Sequence, residues 1–371
     1  MNVKSKSAVL RGYHSPFLIE ELEWDDPRDD EIAVRIVACG VCHSDYHCID
    51  GGYPIDYDNY AMLAGHEGVA IVEKCGKNVT RVQEGDHIVM SWMASCGHCE
   101  WCVRGLGQLC DRGSRLMDGA RDDGTYRVRD KNGRDLWQLS FLGGFSDYAV
   151  IPEDCVIKID KDLPMEKMPI VGCRIPTGWG AVVNTAGARQ GCTGLVVGLG
   201  GVGMSAIQGL QSVGAKVIIA ADCVDKEQWA REFGATHFIN TSKQDLVEEV
   251  YKITGIGVDY AFECIGLGHL QTQCIQSIHK GGHVVFAGVA SIEQKGIEVD
   301  LNKLTLYQQH IHGTCYGGRS PFEMVPQLIG MYRAGKIKFD ELITKEYKLE
   351  QINEAYEDML AGRNICGVIR F

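Results

Sequence analysis

The sequence predicts an α/β protein with two domains, a β-rich domain and a doubly wound domain built on a parallel sheet. Up to about residue 150, apolar runs are short and separated by turns, which is typical of antiparallel or mixed strands with long loops. After Ile175, apolar runs alternate with helix-length amphipathic segments, which indicates βαβ units around a parallel sheet. The length of 371 residues suits two or three domains.

The predicted elements follow this change of pattern. In the first part, strands are predicted at 31–37, 68–73, 87–90 and 148–151. In the second part, strands are predicted at 194–198, 216–222, 260–264 and 283–288, and helices at 202–213 and 225–233. In the C-terminal part, helices are predicted at 326–334 and 349–361, and a strand is predicted at 367–371. The chain is thus divided into a β-rich domain over 1–174, an inserted doubly wound domain over 175–313 and a C-terminal return to the first domain over 314–371.

Charge and hydropathy exclude several functional classes. The net charge of −12 repels a phosphate backbone, so nucleic acid is not expected as a partner. No apolar run approaches the ~20 residues that span a bilayer. The first residues lack the apolar stretch of a secretory signal, so we expect a cytoplasmic protein. In a reducing compartment, its 16 cysteines are metal ligands, nucleophiles or core residues rather than disulfides.

A glycine-rich turn predicts a dinucleotide site. The predicted strand ending at Val197 runs into Gly198-Leu199-Gly200-Gly201-Val202-Gly203, and a helix follows. The first glycine of such a turn allows the bend, the second lets the backbone approach a pyrophosphate, and the third lets helix and strand pack closely. Asp222 ends the next strand, where an acidic side chain accepts ribose hydroxyls and repels a 2′-phosphate. The pattern therefore predicts NAD rather than NADP.

Four cysteines form a tight cluster with the spacing of a closed metal site. Cys96, Cys99, Cys102 and Cys110 fall within 15 residues. Four thiolates complete a tetrahedral shell and leave no position for a substrate, which is typical of structural zinc. An iron–sulfur cluster also takes four thiolates, and the spacing does not favour it.

A second set of metal-ligand residues is dispersed along the chain. Cys42, His66 with the adjacent Glu67, and Cys173 together offer two thiolates and an imidazole. Such a set leaves one coordination position open, as in catalytic zinc sites. Spacing alone leaves open whether residues so far apart in sequence converge, and a lone buried histidine or cysteine is also an ordinary core residue.

Several motifs in a fixed order resemble the zinc-containing medium-chain dehydrogenases of the alcohol dehydrogenase type. The motifs are Gly40-Val41-Cys42-His43-Ser44-Asp45, Gly65-His66-Glu67-Gly68, the four-cysteine loop, Gly172-Cys173 with Thr177-Gly178, and the turn 198–203. The resemblance covers essentially the whole chain. It implies a GroES-like catalytic domain and a Rossmann domain. Asp26-Pro27-Arg28 and Gly203-Met204 are similar to the nicotinoprotein branch, which keeps its NAD bound between turnovers.

The resemblance also implies roles for individual residues around a catalytic zinc. Cys42, His66 and Cys173 would bind the ion, and Glu67 would lie beside it as an occasional ligand. Asp45 would hydrogen-bond His66 and fix its tautomer. Two residues would form a proton relay: Ser44 would take the alcohol proton, and His47 would pass it to solvent.

Further positions match the family's cofactor and substrate sites. Those matching the cofactor site outside the turn are His43, Thr177 and Val289. Those matching the substrate pocket are Trp92, Phe141, Ala287 and Cys315. Their apolar character suits a hydrophobic alcohol, although such residues are also common in ordinary cores. The sequence thus predicts two zinc ions and NAD per chain, with a small alcohol or its aldehyde or ketone as substrate.

The sequence departs from the family pattern at three places. Cys366 stands where an arginine commonly contacts the cofactor phosphate, and Arg174 stands where a glycine is usual. The arginine that marks glutathione-dependent formaldehyde oxidisers would fall near Ser114, which Arg112 and Arg115 flank.

Two alternative functions therefore stay open at the level of sequence. One is oxidation of a thiol–formaldehyde adduct, and the other is a non-catalytic scaffold that binds NAD and zinc. The resemblance further implies a homodimer, or a homotetramer, that forms through edge strands near residues 281–301.

Overall fold

The computed structural model describes residues 3–115 and 119–371, apart from the side chain of Ser114. Its internal contacts divide the chain into two compact units. The first unit comprises Met1–Cys173, Ser320–Ile329 and Phe339–Phe371, and the second comprises Arg174–Arg319 and Gly330–Lys338. The sequence-based division placed all of 314–371 in the C-terminal return, whereas residues 314–319 and Gly330–Lys338 group with the second unit.

Strands and helices alternate along the described residues as follows. The strands are β1 (Val3–Leu10), β2 (Leu18–Trp24), β3 (Glu31–Val41), β4 (Ala61–Leu63), β5 (Glu67–Cys75), β6 (His87–Met90), β7 (Val128–Asp130), β8 (Leu136–Gln138), β9 (Tyr148–Pro152), β10 (Val156–Ile159), β11 (Thr193–Val197), β12 (Val217–Asp222), β13 (His237–Asn240), β14 (Val258–Glu263), β15 (Ile278–Phe286), β16 (His310–Gly313), β17 (Ile343–Lys348) and β18 (Cys366–Arg370). The helices are α1 (His43–Asp50), α2 (Glu100–Val103), α3 (Arg174–Gly180), α4 (Gly201–Ser212), α5 (Glu227–Glu232), α6 (Leu246–Thr254), α7 (Gly268–Ser277), α8 (Leu301–Leu306), α9 (Pro321–Arg333) and α10 (Ile352–Leu360).

Two sheets form the first unit. One has the strand order β7-β2-β1-β4-β8, and the other has the order β10-β6-β5-β3-β18-β17, with β9 also paired to β3. Most neighbouring strands are antiparallel, and β3 is buried along nearly its whole length. Strand β18 pairs antiparallel with β3 and so brings the C-terminal strand to this unit. Because β3 and β5 are central, the residues that follow their ends are held by a rigid frame.

A buried ionic cluster holds the long segment that follows the cysteine loop. The carboxylate of Glu31, at the start of β3, lies 3.1 Å from Arg121 Nε and 2.7 Å from Arg127 Nε. All three side chains are nearly inaccessible to solvent. Burial opposes ionisation of Glu31, but the two guanidinium groups lower its pKa below the usual value. Removal of one partner would leave a buried charge uncompensated, so this cluster fixes the segment to the sheet.

The second unit is a doubly wound parallel sheet. Its strand order is β13-β12-β11-β14-β15-β16, and every adjacent pair is parallel. The order reverses between β11 and β14, which is where α/β sheets bind ligands at the carboxyl ends of their strands. The predicted fold class is confirmed.

Two predicted features were wrong in detail. The expected edge-strand region, 281–301, contains the end of β15, but β16 lies beyond it and forms this edge of the sheet. Only four residues make up β16, too few for the apolar alternation that reveals a strand in sequence. The predicted helix 349–361 begins at Ile352, after a single 3₁₀ turn. In the part of the chain that the structure describes, no helix is long and apolar enough to cross a membrane.

Candidate active site

Four potential metal ligands converge in the first unit. The donor atoms of Cys42, His66, Glu67 and Cys173 all lie within 4.8 Å of one another, and all four residues are buried. The pairing of β3 with β5 brings Cys42 close to His66 and Glu67, because Gly40 lies opposite Glu67 in the antiparallel register. Cys42 follows the end of β3, and His66 directly precedes β5, so both emerge at the same end of the sheet. The sequence spacing had left this convergence open.

Asp45 orients the imidazole of His66. Its Oδ1 lies 3.0 Å from Nδ1 of His66 and also accepts a 2.8 Å hydrogen bond from the backbone N–H of Gly65. Asp45 is inaccessible to solvent. With Nδ1 facing this carboxylate, Nε2 of His66 is the nitrogen left to bind a metal, as in carboxylate–histidine–zinc triads.

The charges of the cluster favour a bound cation. Burial by itself lowers the pKa of His66, but the charge of Asp45, the charge of Cys42 and hydrogen bonds to both raise it well above its usual value. The surroundings of the imidazole thus attract positive charge. Thiolate, imidazole and carboxylate are the ligands that zinc takes in proteins, so this donor set fits a zinc ion.

The two relay candidates lie one turn apart on α1. Ser44 Oγ is 3.9 Å from Cys42 Sγ, next to the metal-ligand cluster. His47 is 7% exposed, its Nδ1 lies 3.4 Å from Asp50 Oδ1, and its ring centre is 5.3 Å from that of His43. The helix thereby carries a hydroxyl next to the cluster and an imidazole one turn further along.

Sequence reasoning missed Tyr53 at this place. Its hydroxyl hydrogen-bonds Ser44, and its ring centre lies 5.3 Å from that of His47. Burial is the main cause that raises the pKa of Tyr53 above its usual value, so the phenol stays protonated at neutral pH. The only signal in the sequence was an aromatic residue after two glycines, which is also typical of an ordinary turn.

The four-cysteine loop closes on itself as its spacing predicted. The sulfur atoms of Cys96, Cys99, Cys102 and Cys110 lie within 4.8 Å of one another. The backbone N–H of Cys96 donates to Cys110 Sγ, and that of Cys99 donates to Cys96 Sγ, each at 3.3 Å. Backbone amides at Cys102 and Asp111 lower the pKa of Cys99 to about 6, whereas burial raises the pKa of Cys102 to about 12 and also raises that of Cys110. Amides that stabilise thiolates are what a four-sulfur zinc site requires.

The glycine-rich turn of the second unit has the geometry of a phosphate cradle. Gly198 has a φ of +91°, and α4 begins at Gly201. A Cβ at Gly203 would lie 1.8 Å from the carbonyl oxygen of Gly198, so only glycine permits this close packing. A Cβ at Gly200 would meet nothing within 4 Å, and so it would project into open space next to the helix N-terminus. A pyrophosphate fits such a space.

Asp222 lies beside this turn at the end of β12. Its carboxylate accepts hydrogen bonds from the N–H groups of Leu199 (2.8 Å) and Val224 (3.0 Å). Lys226 Nζ lies 3.5 Å from Asp222 Oδ2 and donates to the carbonyl oxygen of Leu199 at 3.2 Å. The acid is therefore fixed to the backbone of the turn.

The chain is similar over its whole length to known dehydrogenases. The family models described as "Alcohol dehydrogenase GroES-like domain" and "Zinc-binding dehydrogenase" match residues 28–161 and 201–332. The NDMA-dependent alcohol dehydrogenase of Amycolatopsis methanolica is 39% identical, with 99% of each chain covered. The chain belongs to the zinc-containing alcohol dehydrogenases. This dehydrogenase is thus an oxidoreductase with zinc and a nicotinamide dinucleotide as cofactors, as predicted.

Solved structures confirm the GroES-like and Rossmann-like architecture. The alcohol dehydrogenase zinc-binding domain protein from Burkholderia ambifaria is 37% identical, with a TM-score of 0.93 and complete coverage of both chains. Benzyl alcohol dehydrogenase from Acinetobacter calcoaceticus is 31% identical, with a TM-score of 0.92, and covers 100% of this chain and 99% of that one.

The remaining predicted positions of the dehydrogenase are distributed over both units. Of the pocket candidates in the first unit, Trp92 is partly buried, whereas Phe141 is 3% exposed, belongs to the core and lies under the guanidinium of Arg121. This burial favours a packing role for Phe141. In the second unit, Ala287 and Thr177 are buried and Cys315 is partly buried, and Val289 is 48% exposed.

The structure shows the surroundings of two departures from the family pattern, Cys366 and Arg174. Cys366 is fully buried in β18, while the nearby Arg363 and Arg370 pair with Asp358 and Glu346. Arg174 is buried at the start of α3.

The arginines that flank Ser114 are both engaged by carboxylates. Arg112 Nε lies 2.9 Å from Asp154, and Arg115 pairs with Asp122. The side chain of Ser114 lies outside the described part of the structure.

Proposed function

We propose that this dehydrogenase oxidises primary or secondary alcohols to aldehydes or ketones with NAD, and catalyses the reverse reduction. The observation that supports this is the buried convergence of Cys42, His66, Glu67 and Cys173, with Asp45 orienting the imidazole. In this proposal, Cys42, His66 and Cys173 hold the catalytic zinc, and Glu67 lies beside it. The closed loop of Cys96, Cys99, Cys102 and Cys110 holds the structural zinc.

Each residue of the site contributes a defined step. When bound, zinc supplies the Lewis acidity that lowers the pKa of an alcohol, and NAD accepts the hydride. Ser44 Oγ accepts the proton that the alcohol loses, and His47 passes a proton on towards solvent. Tyr53 holds the hydroxyl of Ser44 in place. With NAD bound, oxidation would remove a hydride and a proton from the alcohol; Ser44 and His47 would carry the proton, and a carbonyl compound would remain.

The second unit is proposed to bind NAD through the turn that starts at Gly198 and through Asp222, with Thr177 and Val289 as further contacts. His43, on α1 of the first unit, is also proposed as a cofactor contact. Asp222 is anchored to the turn, where its charge repels a 2′-phosphate. This anchoring supports NAD over NADP.

A hydrophobic alcohol is the proposed substrate class. A relative at 31% identity is named a benzyl alcohol dehydrogenase, and the pocket candidates Trp92, Ala287 and Cys315 are largely apolar. Oxidation of a thiol–formaldehyde adduct is disfavoured, because Arg112 and Arg115 are already paired with carboxylates.

We further propose a cytoplasmic location, which suits 16 free cysteines, and a homodimer that forms through the exposed edge of β16.

The proposal is tested with a panel of alcohols and aldehydes, followed at the nicotinamide absorbance with and without added NAD. We expect turnover with wild-type protein and none with Cys42→Ala. Cys48→Ala is the matched control, because Cys48 is also buried and lies on α1, outside the metal-ligand cluster. Wild-type rates in Cys42→Ala would refute the proposed zinc role. A single stoichiometric rise in nicotinamide absorbance, when alcohol is added to protein without NAD, would show that the purified protein carries bound cofactor, as in the nicotinoprotein branch.

A further inference from the structure

Three histidines meet on one face of the Rossmann-type sheet in the second unit. His283 on β15 lies directly opposite His310 on β16 in the parallel register. His312 follows two residues after His310 and therefore points to the same face of the sheet. The register of the last two strands thus gathers three imidazoles from two segments of the chain.

Their nitrogen atoms are close enough to share an ion. Each of His283, His310 and His312 offers a ring nitrogen, and these atoms lie within 4.8 Å of one another. His283 Nδ1 and His312 Nε2 are 3.0 Å apart. Two nitrogens bound tetrahedrally to zinc at ~2.0–2.1 Å would be separated by about 3.3 Å. One pair is already near this separation, although a hydrogen bond between the two rings also gives this distance.

The surroundings suit a metal ion with one solvent ligand. All three histidines are partly exposed in the single chain. The ring of Tyr260 stacks on His283 at a centroid distance of 5.4 Å and limits its motion. Burial, followed by the charge of His310, lowers the pKa of His283 and of His312. Neutral imidazole is the form that binds a metal.

Simple ring stacking is the competing explanation. The rings of His283 and His310 are nearly parallel, with centroids 4.3 Å apart. Stacking accounts for the parallel planes. Stacking and the hydrogen bond between His283 and His312 together also bring these nitrogens near one another, so the two explanations differ in whether an added ion binds.

We propose that His283, His310 and His312 form a third metal site, which binds a divalent transition-metal ion that prefers imidazole, such as Zn²⁺ or Ni²⁺. Water completes the coordination shell, and the bound ion links the edge strand β16 to β15. This site lies in the second unit and shares no residue with the two zinc sites proposed in the first.

Binding of Ni²⁺ to the zinc-loaded enzyme tests the site. Protein is dialysed to remove loosely bound ions, titrated with NiCl₂, and its bound nickel is counted per chain. We expect one Ni²⁺ to bind wild-type protein, and the double variant His310→Gln/His312→Gln to bind it more weakly by about tenfold or more. His237→Gln, at a partly exposed histidine of β13 in the same sheet, is the matched control and should bind as wild type.

Two further measurements keep the result decisive. Added Ni²⁺ should raise the Tm of wild-type protein and of His237→Gln but not that of the double variant. The double variant should retain alcohol oxidation, which shows that it is folded and that the proposed catalytic site is separate. If the double variant does not fold, His283→Asn replaces it. No bound nickel in wild-type protein, or equal binding in wild type and variant, would overturn the proposal in favour of ring stacking alone.

Discussion

At the residue scale, the proposed catalytic site depends on groups that never touch the metal. Asp45 is the clearest case. One of its carboxylate oxygens lies 3.0 Å from Nδ1 of His66 and also accepts a hydrogen bond from the backbone N–H of Gly65. Tyr53 has a similar position behind Ser44. Such groups determine the tautomer and the orientation of the residues that do the chemistry.

Replacing Asp45 by Asn should therefore weaken zinc binding without removing a ligand. We expect a loss of about 10–100-fold in zinc affinity or activity, because the amide no longer fixes the imidazole tautomer. Zinc content and kcat are measured together. The exposed Asp58→Asn serves as the control. Full zinc affinity and full activity in Asp45→Asn would show that His66 needs no such support.

Replacing Asp222 by Asn should relax the choice between cofactors. The amide oxygen still accepts the Leu199 N–H, but the negative charge is lost, and Lys226 is then free to face a 2′-phosphate. We expect the ratio of kcat/KM with NADP to that with NAD to rise. An unchanged ratio would mean that Asp222 does not face the ribose.

At the element scale, two glycines of the turn between β11 and α4 are needed for different reasons. A side chain at Gly203 would collide with the backbone of Gly198, whereas one at Gly200 meets no neighbouring atom. The first position governs packing of helix on strand, and the second governs the space for phosphate.

This difference predicts unlike outcomes for two alanine variants. Gly203→Ala should lower both Tm and NAD affinity, because the helix must move. Gly200→Ala should keep the wild-type Tm and lose NAD affinity, since its φ of −86° suits alanine while the new methyl group occupies the phosphate space. Calorimetry and NAD titration measure the two effects. NAD binding of wild-type strength by Gly200→Ala would contradict the proposed cradle.

The C-terminal helix α10 is tied to its neighbours by Asp358. This carboxylate is within 2.6 Å of Lys345 Nζ, Tyr347 OH and Arg363 Nε. The hydrogen bond from Lys345, then that from Tyr347, holds the pKa of Asp358 well below its usual range.

A depressed pKa in the folded state gives a defined pH dependence. The stabilisation by Asp358 is present above the pKa of the unfolded chain, ~3.9, and is lost as the pH falls from there through the lower folded value. Asp358→Asn should lower the Tm by a few degrees at pH 7. As the pH is lowered, the Tm of the variant should fall less steeply than that of wild-type protein. A Tm difference that persists undiminished at low pH would show that the effect is not ionic.

Sequence and structure agree where a local pattern carries the information. The cysteine loop and the glycine turn are contiguous, so spacing alone indicated both. His66 and Cys173 required the pairing of distant strands, which spacing cannot supply, and only the family resemblance suggested their convergence. The cluster of His283 with His310 and His312 was missed for the same reason, because the register between β15 and β16 is a property of the folded sheet.

At the scale of the whole molecule, the proposed catalytic zinc and the proposed nucleotide turn lie in different units of the chain. The two proposed zinc sites lie in the first unit, and the glycine turn and Asp222 lie in the second. This division matches the two family models, one over each part of the chain. The central claim is that the buried set of Cys42, His66 and Cys173 holds a zinc ion on which alcohol oxidation depends.

Zinc content per chain, measured together with alcohol oxidation in Cys173→Ala, tests that claim most directly. The proposed sites predict two tightly held zinc ions in wild-type protein and in the control Cys48→Ala. Cys173→Ala should keep only the ion of the cysteine loop and show no turnover. Two tightly held zinc ions and wild-type turnover in Cys173→Ala would contradict the account.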